Sequence, residues 1–301
     1  MLQRLLLTGL LSGAVAGVVL TLVHLTIVQP LIAEAEFYEE QASVKENMAL
    51  AGVQHVHTGG VSHTHTGGKV PHLHEQNFHI HAEGQVAGTA HVHSDAKPGH
   101  THTSQSVQAD HDHGAHSHGE NSWAPQDGLE RSFYTLAANM LTAISFGLLL
   151  AAGFTLYGGS ISLSQGALWG GAGFLSFSFL PGLGLPAELP ASAAGELLAR
   201  QGWWLGTAAA SVIGLAVIAF VKSNTWRVAG ILLLILPYAI GAPHPEAGAI
   251  GASPPELAAH FVMVTLLASA LMWGALGVAA SYVYGRLTQD QSATIAEPHR
   301  T

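Results

Sequence analysis

From Ser132 to Ala187 the chain contains no Asp, Glu, Lys or Arg, a run of 56 residues without a formal charge. That is far too long for a core element of a soluble protein. It is the length of two membrane helices joined by a short turn, since one span takes about 20 apolar residues. The rest of the chain is similarly lipid-soluble: 10% of residues are charged and 49% hydrophobic, against about 25% charged in ordinary soluble domains.

The first apolar run is Leu5–Val28, which Gln29-Pro30 is expected to end. A cleaved signal peptide is the competing reading, helped by Arg4 and by Ala33-Glu34-Ala35. The run is longer than an h-region of about 7–15 residues, which favours an uncleaved span. Gly9, Gly13 and Gly17 recur along it at i+4, a small-residue face that admits another helix closely. Further spans are predicted over 132–157, 161–180, 202–221, 228–240 and 257–284, with Pro237 interrupting the short fifth. The segment 179–190, rich in Pro and Gly, is expected to be a non-helical loop tucked against the bundle. Trp203 and Trp204 read as interfacial anchors.

The expected fold is therefore an all-α integral membrane protein of about six transmembrane helices, with a long disordered His-rich loop between helices 1 and 2. Its parts are a first helix over 1–33, an acidic extracytoplasmic loop over 34–130, a five-helix bundle over 131–286 and a cytoplasmic tail over 287–301.

That loop holds sixteen of the twenty histidines, all in H-x-H pairs. The pairs are His55/His57, His63/His65, His72/His74, His79/His81, His91/His93, His100/His102, His111/His113 and His116/His118. Neutral imidazole is the commonest protein metal ligand, and in an extended chain residues i and i+2 point to the same side, so each pair is a potential chelate. The Gly, Thr, Ser, Ala and Val between the pairs supply too little apolar surface for a core. A His-rich spacer without a role is the plainer alternative. The absence of cysteine excludes disulfides and thiolate sites.

Orientation follows from Lys and Arg in the short segments. With six spans, Arg4, Lys222, Arg227, Arg286 and Arg300 fall on one side, Arg131 and Arg200 on the other. This places both termini of a multi-pass membrane protein in the cytoplasm and the His-rich loop outside. Residues 34–130 carry thirteen Asp/Glu against three Lys, so the loop would concentrate cations at the outer face.

Outside the loop, His24, His244, Glu256 and His260 fall at the outward ends of spans. Glu256 and His260 are four apart and share a helical face that Met263 extends. An imidazole in or near lipid is a functional candidate; a hydrogen-bonded interhelical contact is the structural alternative for His24 and His260, and a solvated loop position for His244. Glu34 and Glu36 are either additional ligands or interfacial charges, and Glu188 is either an ion-path residue or a helix-start charge.

The order of several motifs resembles the CbtA family of cobalt transporter subunits. They are Arg4-Leu5-Leu6 through Gly17 running into Gln29-Pro30-Leu31-Ile32, then Pro181-Gly182-Leu183 through Pro190, and Arg200-Gln201-Gly202-Trp203-Trp204. Pro243-His244-Pro245 and Pro255-Glu256-Leu257 with His260-Phe261 complete the set. The resemblance covers residues 1–40 and 130–285 and implies an inner-membrane protein that works with a small His-bearing subunit, CbtB, in cobalt supply for cobalamin synthesis. It also implies a transport-path role for His24, His244, Glu256 and His260. The expanded His55–His118 loop departs from the family core.

The functional expectation is a divalent-metal transporter subunit in the lipid bilayer, with Co2+ favoured as substrate and Ni2+ or Zn2+ as alternatives. Loop pairs capture the ion weakly and the four bundle residues pass it on. Weak, multiple sites suit transport, because the ion has to leave as well as enter. The alternative is a membrane-anchored metal-binding or storage protein without transport. Haem held by His24 and His260 would leave the loop histidines unexplained. No H-E-x-x-H, nucleophile elbow or phosphate-binding G-x-x-x-x-G-K-[ST] occurs, so neither an enzyme nor internal ATP drive is expected. Association into an oligomer is compatible with the sequence, and no nucleic-acid partner is expected.

Overall fold

A computed structural model describes the backbone of residues 1–50, 53–56, 62–65, 70–74, 77–81, 125–245 and 251–296, and the side chains of 1–45, 125–245 and 251–289. The chain forms two compact units, Met1–Ala42 with Pro125–Thr301, and Ser43–Ala124.

The described backbone of the first unit is all-helical and consists of six continuous rods. The first joins α1 (Leu2–Val23), a π turn (His24–Val28) and α2 (Gln29–Leu50). The second is α3 (Leu129–Tyr157). The third joins α4 (Leu163–Phe174), a second π turn (Leu175–Phe179) and α5 (Leu180–Gly184). α6 (Leu197–Phe220), α7 (Asn224–Ile240) and α8 (Pro255–Ala296) follow. Four of these helices are long and apolar enough to cross a membrane: Leu2–Lys45, Leu129–Tyr157, Leu197–Phe220 and Pro255–Gln289. α7 is a shorter apolar helix of 17 residues.

Two expectations about proline are corrected. Gln29-Pro30 does not end the first helix, which continues to Leu50, and residues 180–184 are helical, so the irregular segment begins only at Leu185. A proline inside a helix lacks a donor and its ring presses on the carbonyl four residues back. Both prolines are preceded by the same remedy. Gln29 N–H donates to His24 O and Leu180 N–H to Leu175 O, five residues back in each case. The extra residue in each turn widens the helix where the ring would collide.

Glycine sets the closest helix contacts. Gly9, Gly13 and Gly17 pack against Leu148, Ile144 and Met140 of α3, and a Cβ built on Gly147 would lie 2.6 Å from Gly9 O. On the other side of the bundle, Gly166 and Gly170 of α4 meet Gly277 of α8, where a Cβ would lie 2.9 Å from Gly170 Cα. Such backbone approach is how helices gain dispersion contacts in lipid, where burial of apolar surface gives no preference for protein over acyl chains. α8 is central, packing on α1 and α4. Its Trp273 is buried and stacks on Phe177 with ring centroids 5.7 Å apart.

Within the second unit, Ser43–Ala124, short pieces of backbone are described. Residues up to Leu50 are helical. Beyond them β1 (Val53–Val56) pairs antiparallel with β2 (Ser62–His65), His55 opposite His63. β3 (Val70–His74) pairs with β4 (Asn77–His81), His72 opposite His79. Every-second-residue histidine alternating with Val, Thr, Leu and Ile has the two-residue period of a strand. His57, His91, His93, His100, His102, His111, His113, His116 and His118 lie outside the described residues, as do the side chains of the other loop histidines.

Candidate metal-transfer site

His24 opens the first π turn and is half-buried between α1 and α3. Its Nδ1 lies 3.1 Å from Asn139 Nδ2, and the same amide nitrogen lies 3.3 Å from Thr21 Oγ1. Thr21 donates to Gly17 O at 2.7 Å. Asn139 is 6% exposed. A buried amide in an otherwise apolar helix is costly without partners, and here both partners come from the first rod, Thr21 in α1 and His24 in its π turn. The hydrogen-bonded interhelical contact offered as the structural alternative for His24 is thus present, with a partner, Asn139, that was not singled out. Its signal was present, since Asn139 is the sole Asn in the charge-free run 132–187, and an amide at membrane depth calls for a partner on another helix.

Further along, where α2 meets α3, Arg131 holds Glu36 through two bonds of 2.5 and 3.1 Å and Asp127 through one of 2.9 Å. Glu36 is therefore engaged as a structural counter-ion, whereas Glu34 is exposed. Arg200 and Glu188 likewise form an ion pair. Glu188 is thus paired with Arg200 ahead of α6, whose cap is Glu196, accepting from Leu198 N–H and Ala199 N–H.

Glu188 and His244 border an open cavity of about 350 Å³ under the two irregular loops that precede α6 and α8. The loops are joined by the Ala252 N–H to Ala191 O bond of 3.1 Å, and Leu189 is buried beneath them. His244 itself is exposed. Glu256 and His260 are exposed on α8, with Met263 beside them at 70% exposure. The buried face of that helix is Leu257, Phe261, Val264 and Ala268. The shared face of Glu256 and His260 thus exists as predicted but points away from the bundle. No group of three or more His, Asp or Glu residues is assembled among the described residues. His24, His244, Glu256 and His260 do not converge within one copy of the chain.

Charge separates along the bundle. Arg4 packs over the Tyr284 ring at 4.6 Å and donates to Thr288 at 3.2 Å, and Arg286 lies over Tyr282 at 5.4 Å. Ring contacts from Tyr284 through Phe154 and Trp169 reach Phe220, next to Lys222 and Arg227. Among the described residues none of these four cations has a carboxylate within 4.0 Å, whereas Arg131 and Arg200 are both neutralised by carboxylates.

The family model described as probable cobalt transporter subunit (CbtA) matches residues 2–285. This chain belongs to the CbtA family. Membership covers nearly the whole chain, and the family is described as a probable cobalt transporter subunit. Among curated proteins and among solved structures, nothing matches.

Proposed function

We propose that this CbtA protein is the membrane subunit of a Co2+ transporter that gathers the ion through its H-x-H pairs and hands it to sites at the outer end of the bundle. The observation that carries the reading is the placement of sixteen paired histidines between the first two helices of a transporter-subunit bundle. Imidazole sites bind nickel, copper and zinc more tightly than cobalt, so selection for cobalt belongs to the bundle or to what the cell supplies.

The termini are cytoplasmic and the His-rich segment periplasmic in this proposal, in the bacterial inner membrane. Support comes from the four cations at one end of the bundle, which have no carboxylate partner among the described residues, against Arg131 and Arg200 with theirs. Net positive charge collects on the cytoplasmic side. His24 serves as a ligand inside the bundle and His244 stands at the mouth. Glu256 and His260 face outward, which suits completion of their site by another membrane subunit, here a small His-bearing CbtB-like chain.

The storage reading keeps one observation in its favour, the absence of a three-ligand group among the described residues. Uptake of Co2+ into vesicles containing the full chain separates the two. Flux that disappears in a His24→Ala, His260→Ala double variant supports transport. Co2+ binding without flux, with the partner subunit present, refutes it. Deletion of residues 50–120 raises the Co2+ concentration that a transporter needs but abolishes every function of an anchor.

A further inference from the structure

The hydrogens on the Asn139 amide decide what His24 can bind. Thr21 directs its hydroxyl hydrogen to Gly17 O at 2.7 Å, so its oxygen can only accept from Asn139 Nδ2 at 3.3 Å. The second amide hydrogen then points to His24 Nδ1 at 3.1 Å. A neutral imidazole carries a single N–H. With Nδ1 accepting, that hydrogen is on Nε2. In this arrangement His24 has no lone pair to offer a metal ion: Nδ1 is occupied by the amide and Nε2 is protonated.

A half-turn of the amide reverses each role. Oδ1 replaces Nδ2 and accepts from Nδ1–H, while the Thr21 hydroxyl swings from Gly17 to donate to Oδ1. One hydrogen leaves Nε2 to water and one joins Nδ1 from water, so the net charge is unchanged. Each of the three side chains keeps a partner, and Nε2 now presents a lone pair. Metal-binding histidines are oriented in this way, the second nitrogen donating to a fixed acceptor.

We propose that Asn139 is a positioning residue that switches His24 between a non-ligating Nε2–H tautomer and a ligating Nδ1–H tautomer. A divalent cation is held only while the amide is turned. The inference rests on His24 belonging to the transfer route. Its consequence is a deliberately weakened site: apparent affinity is reduced by the fraction of molecules in the competent state, and an ion that enters can leave again.

The test is nitrogen-15 NMR of the metal-free full chain, labelled at histidine, in lipid nanodiscs, with His24 identified by loss of its signals in His24→Gln. Wild type should show a protonated Nε2 and an unprotonated Nδ1. Asn139→Asp, whose carboxylate only accepts, should move the hydrogen to Nδ1. Thr21→Val keeps the shape but removes the acceptor that orients the amide, and should give a mixture of both forms. A wild-type hydrogen on Nδ1, or a tautomer that neither variant moves, overturns the switch.

Co2+ alone is then added. If the turned amide is populated in about one molecule in ten, the Co2+ concentration that halves the His24 signal should fall about tenfold in Asn139→Asp. A moved tautomer with unchanged Co2+ dependence overturns the link to ligation. A moved tautomer with no Co2+ response at His24 in any variant removes His24 from the transfer route instead.

Discussion

Two glycines three residues apart on α8 give a stringent test of the packing argument. A Cβ built on Gly274 meets nothing within 4 Å, whereas one on Gly277 meets Gly170 Cα at 2.9 Å and Gly170 N at 3.0 Å. Carbon atoms rest about 3.5–4.0 Å apart, so Gly277→Ala forces the α4 backbone back by about 0.5–1 Å. No side chain can rotate aside, because the obstacles are main-chain atoms. A gap of that size forfeits about a quarter to a half of the dispersion wells along the seam, and overpacking of this kind costs about 1–3 kcal/mol. Alanine is intrinsically better than glycine in a helix by about 1 kcal/mol, which both variants gain. Gly274→Ala should therefore be neutral or slightly stabilising, and Gly277→Ala lower than it by about 2 kcal/mol, roughly a thirtyfold change in the unfolding equilibrium. Unfolding of the two variants in mixed micelles with increasing denaturing detergent, followed by circular dichroism, measures the difference. Equal midpoints would refute the claim that the α4–α8 seam is set by backbone contact.

Three further outcomes follow from the described geometry and the proposed orientation. Glu36→Gln should destabilise the pairing of α2 with α3 by about 0.5–1 kcal/mol, a value kept small because the carboxylate is 41% exposed; the exchange Glu36→Arg with Arg131→Glu should recover part of it in the same unfolding assay. Because the chain has no cysteine, single cysteines placed at Lys222 and at Ser104 can be labelled in intact cells with an impermeant maleimide. Reaction at position 104 and protection at 222 is expected, and the opposite pattern reverses the proposed topology. Co2+ binding by the full chain should weaken as pH falls from 7.5 to 5.5, since imidazole takes up protons near about pH 6.5 and a protonated ring has no lone pair. Pulldown of bound Co2+ across that range checks it, and pH-independent binding would assign the ion to carboxylates.

Six helical rods, four of them long and apolar enough to cross a membrane where about six spans were expected, and the use of glycine at helix contacts were legible in the sequence. They depend on composition over 20-residue windows and on local spacing, which the linear order of residues contains. The eight H-x-H pairs are legible for the same reason, and so is the shared face of Glu256 and His260. Two local signals misled. Gln29-Pro30 and Leu180-Pro181 read as helix ends, because the remedy for each proline is a π turn that ends two residues upstream, and nothing in the propensities of His-Leu-Thr-Ile-Val or Leu-Ser-Phe-Ser-Phe announces a wider turn.

What only the tertiary structure decided is partnership between distant residues. Glu36 meets Arg131 across 95 positions and Asn139 meets His24 across 115, and the identity of those partners depends on which faces of α1, α2 and α3 meet. The direction of the Glu256–His260 face was decided in the same way. Periodicity places the two residues together, but Leu257 and Phe261 take the inward side because they are the apolar groups that join the buried core. Local chemistry thus determined which residues could bind a metal ion. The packing of the helices determined which of them are held by a neighbour and which are left facing outward.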